Sequence, residues 1–171
     1  MLKRQPRRWA GLAAALATMV ALAATGPKAG DKFPNLAKMD LEGKLPDTQG
    51  KVLMIDFWAS WCDPCKRSFP IIKEIHEKYG EKGLVIIAVS EDENRKKMDQ
   101  FLADHPMPFA VVRDAHATLA EKLNLPGLPT TFFVSPDGKI HSVVSESVGS
   151  DFKEKLTAMV EEALKTLPAK P

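Results

Sequence analysis

A chain of 171 residues carries about one domain's worth of sequence. Its 24 basic and 22 acidic side chains nearly cancel, and 44% hydrophobic with 27% charged residues is ordinary for a globular protein, which excludes disordered, collagen-like and coiled-coil chains. Two cysteines are too few for a disulfide-stapled scaffold, and a domain of this size buries a core without staples, so they ask for a chemical explanation.

Lys3, Arg4, Arg7 and Arg8 precede an uncharged, mostly apolar run of 16 residues from Trp9 to Ala24 that closes on small residues. This order of basic, apolar and small segments predicts an export signal over 1–24, and the run falls short of the roughly 20 residues that a membrane span needs. A cleaved signal peptide and an uncleaved anchor through residues 9–24 differ only in the cleavage, so both readings stand. Thr25 occupies the position where a lipoprotein would need cysteine, and Arg7-Arg8 is slight support for twin-arginine export. Beyond residue 24 the balance is 20 basic against 22 acidic side chains, which is no nucleic-acid footprint.

Residues 25–31, rich in Gly, Pro and Lys, are predicted to be a linker, with 32–171 as the folded domain. Leu36 to Leu45 contains Asp40-Leu41-Glu42-Gly43-Lys44, whose late glycine suits the turn of a short N-terminal hairpin. Val52 to Trp58 is a nearly continuous apolar run, the mark of a strand buried on both faces, and Asp56 interrupts it. Apolar spacing predicts a helix from Pro64 to Tyr79, ended by Gly80, then a second central strand over Leu84 to Val89. An amphipathic helix follows from Asn94 to His105, with Met98, Phe101 and Leu102 on one face. Strands over Phe109 to Val112 and Thr131 to Val134 flank a short helix over Ala115 to Leu123. Ser135-Pro136-Asp137-Gly138 is a turn leading into Ile140 to Val144. The last helix is predicted from Asp151 to Leu167, with Asp151 and Glu154 at capping-box spacing. Strands alternating with helices and a closing hairpin imply an α/β fold: a mixed central sheet flanked by helices on both faces.

The decisive segment is Trp61-Cys62-Asp63-Pro64-Cys65, at the junction of a buried strand and a helix. Cysteines three apart across a first helical turn can form a disulfide or act in sequence as attacker and resolver. The helix start favours thiolate over thiol, so Cys62, the less enclosed residue, is the expected nucleophile and Cys65 the resolving thiol. An inert bridge and half of a zinc site are the alternatives, but so small a loop adds little stability and one pair supplies half a ligand set. The four histidines are scattered, and no metal or other cofactor beyond the redox disulfide is expected. His105-Pro106-Met107-Pro108 reads as a loop, and Glu91-Asp92-Glu93 as a solvated helix-start cluster.

Phe57-Trp58-Ala59-Ser60-Trp61-Cys62-Asp63-Pro64-Cys65-Lys66, with Pro70 five residues beyond the second cysteine, resembles the active-site stretch of the thioredoxin superfamily. Gly127-Leu128-Pro129-Thr130-Thr131-Phe132 resembles the loop that carries its cis-proline. Together with the export signal and the Pro-Asp-Gly hairpin, the resemblance narrows to the TlpA-like and ResA-like envelope thiol-disulfide oxidoreductases. It covers about Asp31 to Leu167.

The resemblance implies a thioredoxin fold in which Pro129, in cis, lies beside Cys62 and the Leu128 backbone pairs with an extended substrate strand. Trp61, Gly127 and Leu128 would form an apolar collar for substrate, and Trp58 the core or the wall of the site. Members of the narrower group commonly carry an acid three residues after the second cysteine and an amide in the preceding strand. Here those positions hold Ser68 and Asp56. The acid sits where thioredoxin itself has one, so Asp56 is the expected proton acceptor for Cys65, with a pKa raised by burial. Asp63, a negative charge beside Cys62, opposes the thiolate and tilts the pair toward a reductase.

The expected function is therefore reduction of protein disulfides in the cell envelope, with re-reduction by a membrane thiol donor. Clients in that group are cytochrome c precursors and copper-site proteins, between which nothing in the sequence chooses. A disulfide oxidase or isomerase is the alternative enzyme, and a metal-delivery or binding module the non-enzymatic one. No Pro-x-x-x-Thr-x-x-Cys stretch surrounds Cys62, which disfavours a peroxidase.

Overall fold

The computed structural model describes residues 26–145 and 149–168. The predicted export signal over 1–24 lies outside the described residues. Among the described residues no helix is long and apolar enough to cross a membrane.

Among the described residues, six strands form one mixed sheet: β1 (Glu42–Gly43), β2 (Val52–Trp58), β3 (Leu84–Ser90), β4 (Ala110–Arg113), β5 (Thr130–Val134) and β6 (Ile140–Val144), in spatial order β1-β4-β3-β2-β5-β6. The parallel pairs β2/β3 and β3/β4 are separated in the chain by α1 (Asp63–Tyr79) and α2 (Arg95–Asp104), whereas β5 and β6 run antiparallel to their neighbours. Two further helices, α3 (Thr118–Lys122) and α4 (Phe152–Leu164), complete the layers.

β2 lies at the centre between β3 and β5, so both of its faces are covered. Its inward positions alternate with period two. Val52, Met54 and Trp58 pack with Cys65, Phe69 and Ile72 of α1 and with Phe152, Leu156 and Val160 of α4. Ile55 and Phe57 pack on the other side with Phe33, Leu36, Leu119 and Leu123. This alternation assigns Asp56 to the face that carries Cys65. Rings knit the core on both sides: Trp58 meets Phe69 edge-on at 5.0 Å between centroids, and Phe132 meets Phe33 at 5.4 Å.

Three expectations are corrected. Residues 36–45 form no hairpin: a single 3-10 turn over Leu36–Lys38 leads to β1, which pairs antiparallel with β4. Gly43 serves close approach rather than a turn, because a Cβ there would stand 3.0 Å from the Val111 carbonyl oxygen and the residue has φ of 126°. The short helix begins at Thr118 rather than Ala115, since Ala117 adopts φ of 53° and Asp114 gathers the Thr118, Leu119 and Ala120 N–H groups. The capping box of the last helix does not form: Asp151 has ψ of 3° instead of an extended backbone, and its side chain makes no capping bond.

The segment read as a linker makes ordered contacts from residue 28 onward. Lys28 N–H donates to the Asp31 carboxylate, Gly30 N–H to the Ile140 carbonyl, and Ile140 N–H to the Asp31 carbonyl.

Candidate active site

The site forms where β2 hands over to α1. Cys62 is the N-cap of α1, and its sulfur accepts the Cys65 N–H at 3.3 Å. Pro64 occupies the first turn, where a missing N–H costs nothing. Cys62 and Cys65 are joined in a disulfide, with Cα atoms 5.3 Å apart. Cys65 is fully buried and Cys62 keeps 4% of its surface exposed, so the first sulfur is the one within reach of another molecule. On reduction, the unpaired N–H groups and dipole of the helix start favour negative charge on that sulfur.

Asp63 is exposed and ion-paired with Lys66 at 2.8 Å. That hydrogen bond, then the Lys66 charge, holds the Asp63 carboxyl below its ordinary range. The negative charge beside Cys62 is therefore partly balanced by its own neighbour one turn on.

On the sheet face that carries Cys65, Asp56 is 1% exposed. Its ladder neighbours are Ala88 of β3 and Thr131 of β5. The Thr131 hydroxyl donates to Oδ1 at 2.7 Å, while Oδ2 has no hydrogen-bond partner. Burial pushes the carboxyl up to about 7 against the opposing effect of the Thr131 bond. Ser68, also fully buried, turns its hydroxyl back onto the Cys65 carbonyl at 2.7 Å.

The Leu128–Pro129 peptide is cis and leads directly into β5. Thr130 fixes that loop by donating to the Gly127 carbonyl at 2.7 Å, and Gly127 itself has φ of 154° with open space on its Cβ side. Trp61 is 65% exposed, the one large apolar side chain so exposed among the described residues. It shares an open cleft of about 390 Å³ with Leu128, Glu91, Glu121 and Leu125. Trp58, by contrast, is fully buried against Phe69 and Phe101.

The cluster Glu91-Asp92-Glu93 is not uniformly solvated. Asp92 is 2% exposed and accepts the Ser60 N–H, the Ser60 hydroxyl and the Ser90 hydroxyl at 2.8, 2.6 and 2.8 Å. Glu91 is half-buried in the Trp61 cleft, with its carboxyl raised to about 8 by burial first and then by the charge of Asp114. Both residues follow the C-terminal end of a buried parallel strand, where side chains are delivered to a functional edge, and that position was the available signal for them. Thr131 was the other omission; a polar residue at an inward position of a buried strand was its signal.

A buried central strand delivering a Cys-x-x-Cys pair to a helix start, faced by a cis-proline loop, defines a thioredoxin-fold redox protein. The comparisons with known proteins agree. The AhpC/TSA family model matches residues 29–143. A ResA thiol-disulfide oxidoreductase of Bacillus cereus is 36% identical over 130 residues, 74% of this chain and 73% of the relative. Another, of Oceanobacillus iheyensis, is 36% identical over 108 residues, 63% of this chain and 56% of that relative's length. Among solved structures, a Chlorobium tepidum protein assigned as thiol:disulfide interchange protein DsbE superposes with a TM-score of 0.74 at 34% identity, covering 81% of this chain and 99% of that one. The chain belongs to the AhpC/TSA family, and its activity is that of a thiol-disulfide oxidoreductase of ResA/DsbE type.

Proposed function

We propose that this chain is exported and reduces disulfides of other envelope proteins, with Cys62 as the attacking thiolate, Cys65 as the resolving thiol and Asp56 as proton acceptor. An extended client strand pairs with the Leu128 backbone beside Pro129, while Trp61, Gly127 and Leu128 form the collar around the reacting sulfurs. The Cys62 thiolate attacks one client sulfur, breaking the client disulfide and forming a mixed disulfide; the other client sulfur leaves as thiolate. Cys65 then gives its proton to Asp56 and attacks the Cys62 sulfur. The Cys62–Cys65 disulfide forms, the second client thiolate is released, and two electrons have passed to the client.

The observation that carries this reading is the placement of an unpartnered, buried carboxylate oxygen on the sheet face shared with Cys65. A donor of dithiol type at the membrane returns the pair to its reduced form. Clients are of the cytochrome c precursor or copper-site class, and the protein works in the periplasm, free or held by residues 9–24.

Cys65→Ser tests the reading, because it stops the cycle at the mixed disulfide. Envelope proteins captured on Cys62 and released by dithiothreitol, with reduced Cys62 alkylated faster than glutathione, are expected. No captured adducts and alkylation no faster than glutathione overturn it. A reduction potential near that of strong oxidants assigns the pair to oxidation instead.

A further inference from the structure

We infer that Thr131 is a positioning residue for the resolving step: its hydroxyl occupies Oδ1 of Asp56, leaving Oδ2 as the oxygen that takes the Cys65 proton. This rests on the proposed role of Asp56 as acceptor. Thr131 is 2% exposed and stands directly opposite Asp56 in the β2/β5 ladder. Period-two alternation along β5 sets it with Phe133 on the Cys65 face and sets Thr130 on the other. A threonine hydroxyl has one proton to give, and here it goes to Oδ1 at 2.7 Å. Branching at Cβ restricts χ1, which keeps that hydroxyl aimed. The two oxygens of one carboxyl thereby differ: one is bonded, and the other is buried without a partner.

The surroundings leave Thr131 as the modulating group. Ala88 flanks Asp56 from β3, and the cluster on this face brings Cys65 and Phe69 from α1 and Phe152 and Leu156 from α4. Cys62, Cys65 and Tyr79 are the titratable members of that cluster. The Asp56 carboxyl is raised by burial and held back by the Thr131 hydrogen bond, with no charged side chain contributing. In the balanced step the proton leaves Cys65 Sγ for Asp56 Oδ2, the Cys65–Cys62 bond forms, and the client thiolate departs with the electron pair. Thr131 exchanges no proton. Its position two residues beyond Pro129 ties the base on β2 to the strand that presents the client-binding loop.

The test is single-turnover release of thionitrobenzoate from its mixed disulfide with Cys62, followed against pH in Thr131→Val, Thr131→Ser and Asp56→Asn, with the Asp56 carboxyl titrated by carbon NMR in the oxidised proteins. Loss of a hydrogen bond to the ionised form raises a carboxyl pKa, so in Thr131→Val the midpoint of the rate profile should move up by about one unit, and the rate below it should fall by up to about tenfold. Thr131→Ser should restore the profile, and the first attack on the aromatic disulfide reagent should be unchanged in all three variants. A Thr131→Val profile and Asp56 titration superimposable on the parent overturn the inference. If Asp56→Asn abolishes the pH step while Thr131→Val leaves it in place, Thr131 alone is excluded. If Asp56→Asn also changes nothing, the acceptor role of Asp56 fails with it.

Discussion

Ser60 and Asp92, 32 residues apart in sequence, are joined twice: the Asp92 carboxylate accepts both the backbone N–H and the hydroxyl of Ser60. The tie crosses from the end of β3 to the loop that carries Cys62, so the position of the reactive sulfur depends on a carboxylate outside the Cys-x-x-Cys motif. Arg113 steadies that end of β3 in turn, donating to the Asp92 and Glu93 carbonyls while its other nitrogens hold Glu42.

Asp92→Ala should therefore destabilise the oxidised protein by about 2–3 kcal/mol, because one buried and two part-buried donors lose a charged acceptor. Denaturant unfolding measures the loss, and hydrogen exchange at the Ser60 amide should quicken in the same variant. Unchanged stability and exchange would mean that the loop is held by other contacts.

Stability should fall as pH rises from about 4 to neutrality. The Asp56 carboxyl moves from 3.8 to about 7 on folding, so between those values the unfolded chain releases a proton that the folded chain retains. Its contribution is complete below about pH 4 and is lost by about pH 7, a change on the order of 4 kcal/mol. Glu91, raised from 4.5 to about 8, acts with the same sign. Asp56→Asn should remove the Asp56 part, so the variant should exceed the parent in stability above neutrality. Parallel pH–stability curves for the two proteins would contradict this.

Asp114→Asn should act at two places. It withdraws an acceptor from the start of α3, costing about 1–2 kcal/mol. It also removes the charge that assists burial in raising Glu91, so the Glu91 carboxyl should titrate below its present value of about 8. Carbon NMR of the Glu91 side chain reads the second effect independently of the first.

Trp61→Ala should separate binding from folding. With 65% of its surface exposed, the indole contributes little to the core, and unfolding free energy should change by less than about 0.5 kcal/mol. Reduction of a disulfide-bearing client peptide should nonetheless show a several-fold higher KM, since the cleft between Trp61 and Leu128 loses one wall. An unchanged KM would remove Trp61 from the client surface.

The central strands, the long helix and the cysteine pair were legible in the sequence because each is a local signal: an unbroken apolar run, helical spacing, and two thiols at a helix start. Asp56 was legible for the same reason, as a charge within an apolar run. The roles of Asp92, Glu91 and Thr131 were not, because each depends on strand order and register: Thr131 matters only once β5 lies beside β2 with residue 131 opposite residue 56. The hairpin expectation failed likewise. Gly43 signalled a backbone peculiarity, but the partner requiring it was Val111, far along the chain.

One continuous stretch guards both margins of the sheet. Gly30 to Phe33 bond to the start of β6, Phe33 and Leu36 cover one apolar face, and Glu42–Gly43 close the free side of β4. Unpaired ladder edges invite strand addition by other molecules. A proteolytic nick that freed this stretch would bare two such edges and an oily surface together, so damage there should end in precipitation of the whole molecule, not in a gradual loss of turnover.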